Sequence, residues 1–326
     1  DGKPYYFNYG IASRETNAPV NENTLFEIGS VSKTLTATLA TWAQAQGKFS
    51  LDAHPSHYLP QLKGSAVDKA SLLHLGTYTA GGFKLQFPDE VREGQEMSFF
   101  REWKPDAAPG AVRLYSNPSI GLFGHAAAAA LGKDFTVAMT AEILPRFGMK
   151  HTYVNVPAHA MPDYAWGYNG EKQVRVNPGP FDAEAYGIKT SSADLLRFVQ
   201  ANIAPGQLEP AMQHAVAATH VGYFEAGPLV QGLGWEQYPY PIALQRLQSG
   251  SDSSITREPV AVRWLNASGA AGGATLFHKT GSTGGFGAYA VFVPQRKIGI
   301  VMLANSPYPN PDRIKAAYAI LQQLAP

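Results

Sequence analysis

The chain has 326 residues, 45% apolar and 16% charged, an ordinary globular composition with enough length to bury roughly three quarters of the unfolded surface. With 26 Lys and Arg interspersed among 25 Asp and Glu, the net charge of +1 leaves no basic footprint for nucleic acid or an anionic membrane. No cysteine is present, which excludes disulfides, thiolate metal sites and cysteine nucleophiles, and no apolar run reaches the ~18 residues of a spanning helix.

The chain begins Asp1-Gly-Lys-Pro and goes straight into an aromatic, strand-like run at residues 5–12. No signal-peptide pattern precedes it, so an upstream segment is expected to be missing. Residues 30–46 place Val31, Leu35, Leu39 and Trp42 at helical spacing and stop at Gly47, which predicts a helix. From about 50 to 150 the pattern is one of short helices broken by Pro, Gly and Ser, including a helical run at 120–131. The Pro/Gly-rich passage 157–186 is too long for an ordinary connection, and loops of that kind are functional or disordered. A helix starts near Ser191 with Asp194 close to its cap. Residues 249–274 are rich in Ser, Gly and Ala, with an edge strand at 260–265. Consecutive strands follow at 275–278, 287–293 and 298–303, with links short enough for antiparallel hairpins, and then a closing helix at 314–324. The expected fold is of the α/β (α+β) kind: an antiparallel sheet flanked by helices and built from both chain ends, interrupted by a mainly helical insertion. That places an α/β domain at 1–48 and 193–326, a helical domain at 49–192, and the active site in the cleft between them.

Three short motifs carry chemistry. Ser30-Val-Ser-Lys33 puts a hydroxyl and an amine three residues apart at a helix start, sharing a face where negative charge is favoured. Serine needs a neighbouring base, and lysine serves as one when burial or a second cation lowers its pKa. Such a match arises about once by chance in a chain of this composition, so the spacing alone is also that of a capping serine and a solvated lysine. Tyr115-Ser-Asn117 offers a phenol and an amide just before the helical run at 120, but Tyr-x-Asn also occurs at Tyr153 and Tyr308. Lys279-Thr-Gly281 lies between two strands, so its side chains can point into a cleft while the glycine admits a ligand to the backbone. A strand-end turn is its bland alternative.

The order Ser-x-x-Lys, Tyr-x-Asn, Lys-Thr-Gly is the logic of the penicillin-recognising serine enzymes. With Leu25-Phe-Glu-Ile-Gly-Ser-Val-Ser-Lys, Thr77-Tyr-Thr-Ala-Gly-Gly, Asp182-Ala-Glu-Ala-Tyr-Gly and residues 303–311, the chain resembles the class C β-lactamases over essentially its whole length. It departs at the beginning, where family members carry an N-terminal helix and a further strand. The resemblance implies hydrolysis of β-lactams, cephalosporins preferred, by a periplasmic monomer without cofactor or metal. It implies Ser30 as nucleophile, with Lys33 and Tyr115 sharing its proton, and leaves open which is the base. It implies the backbone N–H groups of Ser30 and Ser282 as oxyanion donors, each typically worth about a hundredfold in rate. Gln86 and Asn117 would hold the drug's side-chain amide. Lys279, Thr280, Asn310 and, more weakly, Arg313 would face its carboxylate, Gly281 would belong to the substrate site, and Tyr186 would line the wall.

Two rivals share these motifs. A peptidase or esterase of the same fold would use the same nucleophile and differ in deacylation, and a non-catalytic sensor would stay acylated. Metal-dependent hydrolysis is disfavoured because the nine histidines are scattered, with only His54 and His57 close. An α/β-hydrolase is disfavoured because no Gly-x-Ser-x-Gly elbow occurs.

Overall fold

The computed structural model describes residues 2–265 and 273–324, so residues 266–272 of the Ser/Gly/Ala-rich stretch lie outside the described residues. The chain adopts the expected α+β class. Its main feature is an antiparallel sheet of eight strands: β1 Val112–Arg113, β2 Phe224–Ala226, β3 Leu229–Gln231, β4 Glu236–Tyr240, β5 Val260–Trp264, β6 Ala274–Ser282, β7 Gly287–Val293 and β8 Ile298–Ala304, in the order β8-β7-β6-β4-β3-β2-β5-β1. β7 explains the sheet's position. Its Ala288, Ala290 and Phe292 pack on one face with Phe198, Val199 and Trp235. Its Tyr289, Val291 and Val293 pack on the other with Ile314, Ala317 and Leu321. A strand covered on both faces reads as a continuous apolar run, as this one does.

The helices that matter are α1 Ser32–Ala45, α2 Asn117–Ala130, α3 Asp182–Ala185, α4 Ser192–Ile203, α5 Pro210–Thr219 and α6 Asn310–Leu324. α1 is buried on every side from Ser32 to Ala43. Leu35, Leu39 and Trp42 face the cluster containing Phe198 and Trp235, while Ala37, Ala40 and Ala43 face a second cluster containing Leu72 and Phe123. A helix in that position cannot carry free polar groups. Its threonines satisfy themselves: Thr34 donates to the Val31 carbonyl at 2.8 Å, Thr38 to Thr34 at 2.8 Å and Thr41 to Ala37 at 3.0 Å. The start of this central helix, and Ser30 with it, therefore sits where the two cores meet.

Two expectations need correction. The aromatic run at 5–12 is not a strand over most of its length. Only Ile11–Ser13 pairs, in a two-stranded ribbon with Ala18–Pro19, and Tyr5, Phe7 and Tyr9 are 67%, 76% and 82% exposed. Aromatic residues favour strands through packing on neighbouring strands, and among the described residues no strand pairs with residues 5–9. The large sheet is accordingly not built from both ends. The N-terminal part contributes α1 beneath it, and the Leu25–Glu27 strand joins a separate three-stranded sheet with Lys189–Ser191 and Thr152–Tyr153. The long 157–186 passage is folded, with a hairpin at Gly167–Asn169 and Lys172–Val174 and the short α3 at its end.

Candidate active site

A single 3-10 turn, Gly29–Val31, links the Leu25–Glu27 strand to α1 and presents Ser30. Lys33, one turn along, is fully buried. Its ammonium donates to Ser30 Oγ at 2.9 Å and to the Ala185 carbonyl at 2.7 Å. Burial is the largest influence on it; the Tyr115 phenol works the other way, Lys279 adds like-charge repulsion, and the pKa falls from 10.5 to about 8.

Tyr115 lies between β1 and α2, whose first turn is capped by Ser116 accepting from the Ser119 N–H at 3.1 Å. Three cations surround its ring: Lys279 Nζ at 4.9 Å, Lys33 Nζ at 5.2 Å and the Arg113 guanidinium carbon at 5.6 Å from the centroid. Burial pushes the phenol pKa up, but Lys279 and then Lys33 outweigh it, and the net shift is downward. Among the described residues the buried hydroxyl makes no hydrogen bond of good geometry.

What keeps Lys279 charged is a buried carboxylate that the sequence reading missed. Glu236 lies 3.5 Å from Lys279 Nζ, 3.4 Å from Arg113 Nη2 and 3.3 Å from His278 Nε2. Burial tends to raise its pKa, but Lys279, His278 and Arg113 together hold it at about 2. Burial depresses Lys279 and Glu236 more than compensates, so its pKa ends raised. No spacing announces this group. Glu236 meets His278 only because β4 and β6 pair in the register that sets those two residues opposite each other.

Lys279, Thr280 and Gly281 belong to the end of β6, which runs on to Ser282. They do not follow a strand, as expected, but complete one. Here the chain permits no side chain at two positions. A Cβ on Gly281 would stand 1.9 Å from the Ile28 carbonyl oxygen, and one on Gly29, whose φ is 50°, would stand 2.5 Å from Ser282 N. The nucleophile turn and β6 thus touch backbone to backbone, the arrangement that two oxyanion donors on Ser30 and Ser282 require.

Arg313 lines the cleft from a braced position. It is 2% exposed, and its guanidinium is committed to protein acceptors: Gly281 O at 2.5 Å, Ala288 O at 2.6 Å and Ser282 Oγ at 2.7 Å. It braces β6 while still bordering the cleft, where among the described residues its Nε has no partner. Asn310, at the start of α6, keeps its Oδ1 unpartnered.

Ser30, Tyr115, Asn117, Gln86, Lys279, Thr280, Gly281, Ser282, Tyr186 and Asn310 all line one cleft of about 860 Å³. Asn117 Nδ2 donates to Gln86 Oε1 at 2.8 Å, leaving the amide oxygen of Asn117 unpartnered. Lys33 lies just beneath the floor. Among the described residues no three His, Asp or Glu side chains gather as a metal set.

A family profile described as Beta-lactamase matches residues 1–325. A β-lactamase of Pseudomonas fluorescens is 54% identical over 99% of this chain and 91% of its own length. Among solved structures, a β-lactamase/D-alanine carboxypeptidase of Pseudomonas syringae superposes with a TM-score of 0.96 at 48% identity, over 99% of this chain and 91% of that one. A class C β-lactamase solved with cefoxitin gives 0.94 at 47% identity, again over 99% and 91%. With profile, relatives and fold in agreement over nearly its full length, the chain belongs to the β-lactamase family, in its class C branch.

Proposed function

We propose that the chain hydrolyses β-lactams, cephalosporins foremost, through an acyl-enzyme on Ser30, with Tyr115 as the acceptor of the serine proton. The observation that carries this reading is the hydroxyl of Ser30 within 2.9 Å of a buried, pKa-lowered Lys33, beside a phenol set among cations. Ser30 Oγ adds to the lactam carbonyl as its proton passes to the Tyr115 phenolate, and Lys33 donates to the oxygen as it loses that proton. Negative charge moves to the carbonyl oxygen, held by the Ser30 and Ser282 N–H groups. The C–N bond then breaks and Tyr115 returns the proton to the leaving nitrogen. Water attacks the ester in the second half, its proton going to the same phenolate; the acyl C–O bond then breaks and Tyr115 passes that proton to Ser30 Oγ, restoring both groups. Gln86 and Asn117 present an amide pair to the substrate's side chain, while Lys279, Thr280 and Asn310 face its carboxylate. We place the activity in the periplasm and in a monomer; family membership is the support for both.

Likeness to the Pseudomonas syringae protein, described as both β-lactamase and D-alanine carboxypeptidase, favours peptide hydrolysis as a second reading. The two are separated by kcat/KM for a cephalosporin, a penicillin and an N-acylated D-alanyl-D-alanine peptide. The proposal predicts that order. A peptide turned over as fast as the cephalosporin contradicts it.

A further inference from the structure

Tyr78 stands directly behind Tyr115. The two ring centroids are 4.7 Å apart at 51°, and the Arg113 guanidinium carbon lies 5.5 Å from the Tyr78 centroid as it lies over that of Tyr115. Tyr78 is 2% exposed, and its hydroxyl is buried with no hydrogen-bond partner of good geometry among the described residues. Its backbone is left-handed, with φ 61°, a conformation that a bulky side chain holds only where its surroundings impose it. The surroundings do so here. The Thr79 N–H donates to the His74 carbonyl at 2.8 Å, and the Tyr78 carbonyl accepts from the Leu114 N–H at 3.0 Å, one residue before Tyr115. The strained peptide is thus fastened to the segment that carries the catalytic phenol.

For packing alone a phenylalanine would serve, because an unpartnered buried hydroxyl is a penalty. The oxygen makes sense if its partner is a charged form of a neighbour. We infer that Tyr78 is a positioning residue whose hydroxyl donates a hydrogen bond to the Tyr115 oxygen when Tyr115 is a phenolate. Tyr115 is thereby held ionised and aimed at Ser30. This rests on the reading of Tyr115 as the proton acceptor. The charged groups facing the pair come from four elements: Lys33 from α1, Arg113 from β1, Glu236 from β4 with His278 against it, and Lys279 from β6. Among them the division of labour between the phenols is one-sided. Burial and then the neighbouring Tyr115 charge push Tyr78 well above the usual phenol range, with Arg113 opposing, whereas the two lysines bring Tyr115 down. Tyr78 therefore keeps its proton and only shares it; no proton leaves it during turnover.

The test is kcat/KM against pH for a chromogenic cephalosporin with wild type, Tyr78→Phe, Tyr115→Phe and the double variant, each normalised to active sites titrated with a slowly released inhibitor, so that unfolded protein does not count. Loss of a donor to the phenolate should move the acid limb of Tyr78→Phe up by about one pH unit, roughly tenfold in rate on that side. The curves should merge at alkaline pH. The double variant should be no slower than Tyr115→Phe. A loss independent of pH, an unmoved limb or additive losses would overturn the inference. Normal turnover by Tyr115→Phe would instead remove the reading on which it stands.

Discussion

The Lys33 ammonium donates to the Ala185 carbonyl at 2.7 Å while donating to Ser30 at 2.9 Å. Ala185 ends α3, the last turn of the long 157–186 passage, and Thr36 fastens the same turn by donating to the Glu184 carbonyl at 2.6 Å. The amine beside the nucleophile is therefore fixed from two sides and cut off from water, and burial is what brings its pKa to about 8. The long loop acts on the chemistry through a backbone oxygen.

That pKa separates the two possible bases. With a Tyr115 phenolate as acceptor and Lys33 cationic, kcat/KM should fall as pH rises through about 8, because the cation supporting both phenolate and alkoxide is lost. With neutral Lys33 as the base the rate would rise through the same region. A pH–rate profile of the wild type reads the difference directly, as the apparent pKa values of a coupled pair.

The same shift is a statement about stability. Lys33 titrates at about 8 in the fold against 10.5 unfolded, so the unfolded chain binds more protons between those values. The penalty is complete below pH 8 and fades as pH approaches 10.5. Relative to Lys33→Met, the wild type should gain roughly 2 kcal/mol between pH 7 and pH 9.5. Urea unfolding at the two pH values measures it; a constant difference would mean that Lys33 is not desolvated.

Glu236 runs the other way. Its folded pKa of about 2 lies below the unfolded 4.5, so its contribution is present above 4.5 and is lost as pH falls toward 2. Wild type should lose stability through that window more steeply than Glu236→Gln. At neutral pH the variant should be destabilised by about 3–5 kcal/mol, because Arg113 and Lys279 are left buried without their anion. Acid and urea titrations followed by circular dichroism check both.

Gly281→Ala tests the backbone contact behind the oxyanion site. The added methyl would meet the Ile28 carbonyl oxygen at 1.9 Å, so β6 must move away from the nucleophile turn. The loss in kcat/KM should be about a hundredfold or more, with affinity for a boronic acid that mimics the tetrahedral adduct falling in step. Unchanged boronate affinity would show that the contact does not shape the site.

The sequence was most readable where chemistry or packing is local. Ser30-x-x-Lys33 is one helical turn, and Leu35, Leu39 and Trp42 of α1, with Val31 just before it, share helical spacing because they pack on one of its two cores. The 287–293 strand was bounded as found because apolar residues fill both its faces. Glu236 was invisible since it acts on Lys279 only through strand register, and Arg113 since its partners, Gln231 Oε1 and Ile255 O, are brought to it by the sheet. That Arg313 also braces β6 through Gly281 O and Ala288 O was not legible, because those carbonyls are brought to it by the sheet. The run at 5–12 misled because strand propensity is a demand for neighbours, and among the described residues only its end, from Ile11, finds one.

The account stands most directly on a time course of a chromogenic cephalosporin with wild type and Ser30→Ala, followed by intact mass of the wild type after mixing. It predicts many turnovers, their loss in Ser30→Ala, and a mass adduct that appears and then clears. A single stoichiometric burst leaving a lasting adduct would contradict it.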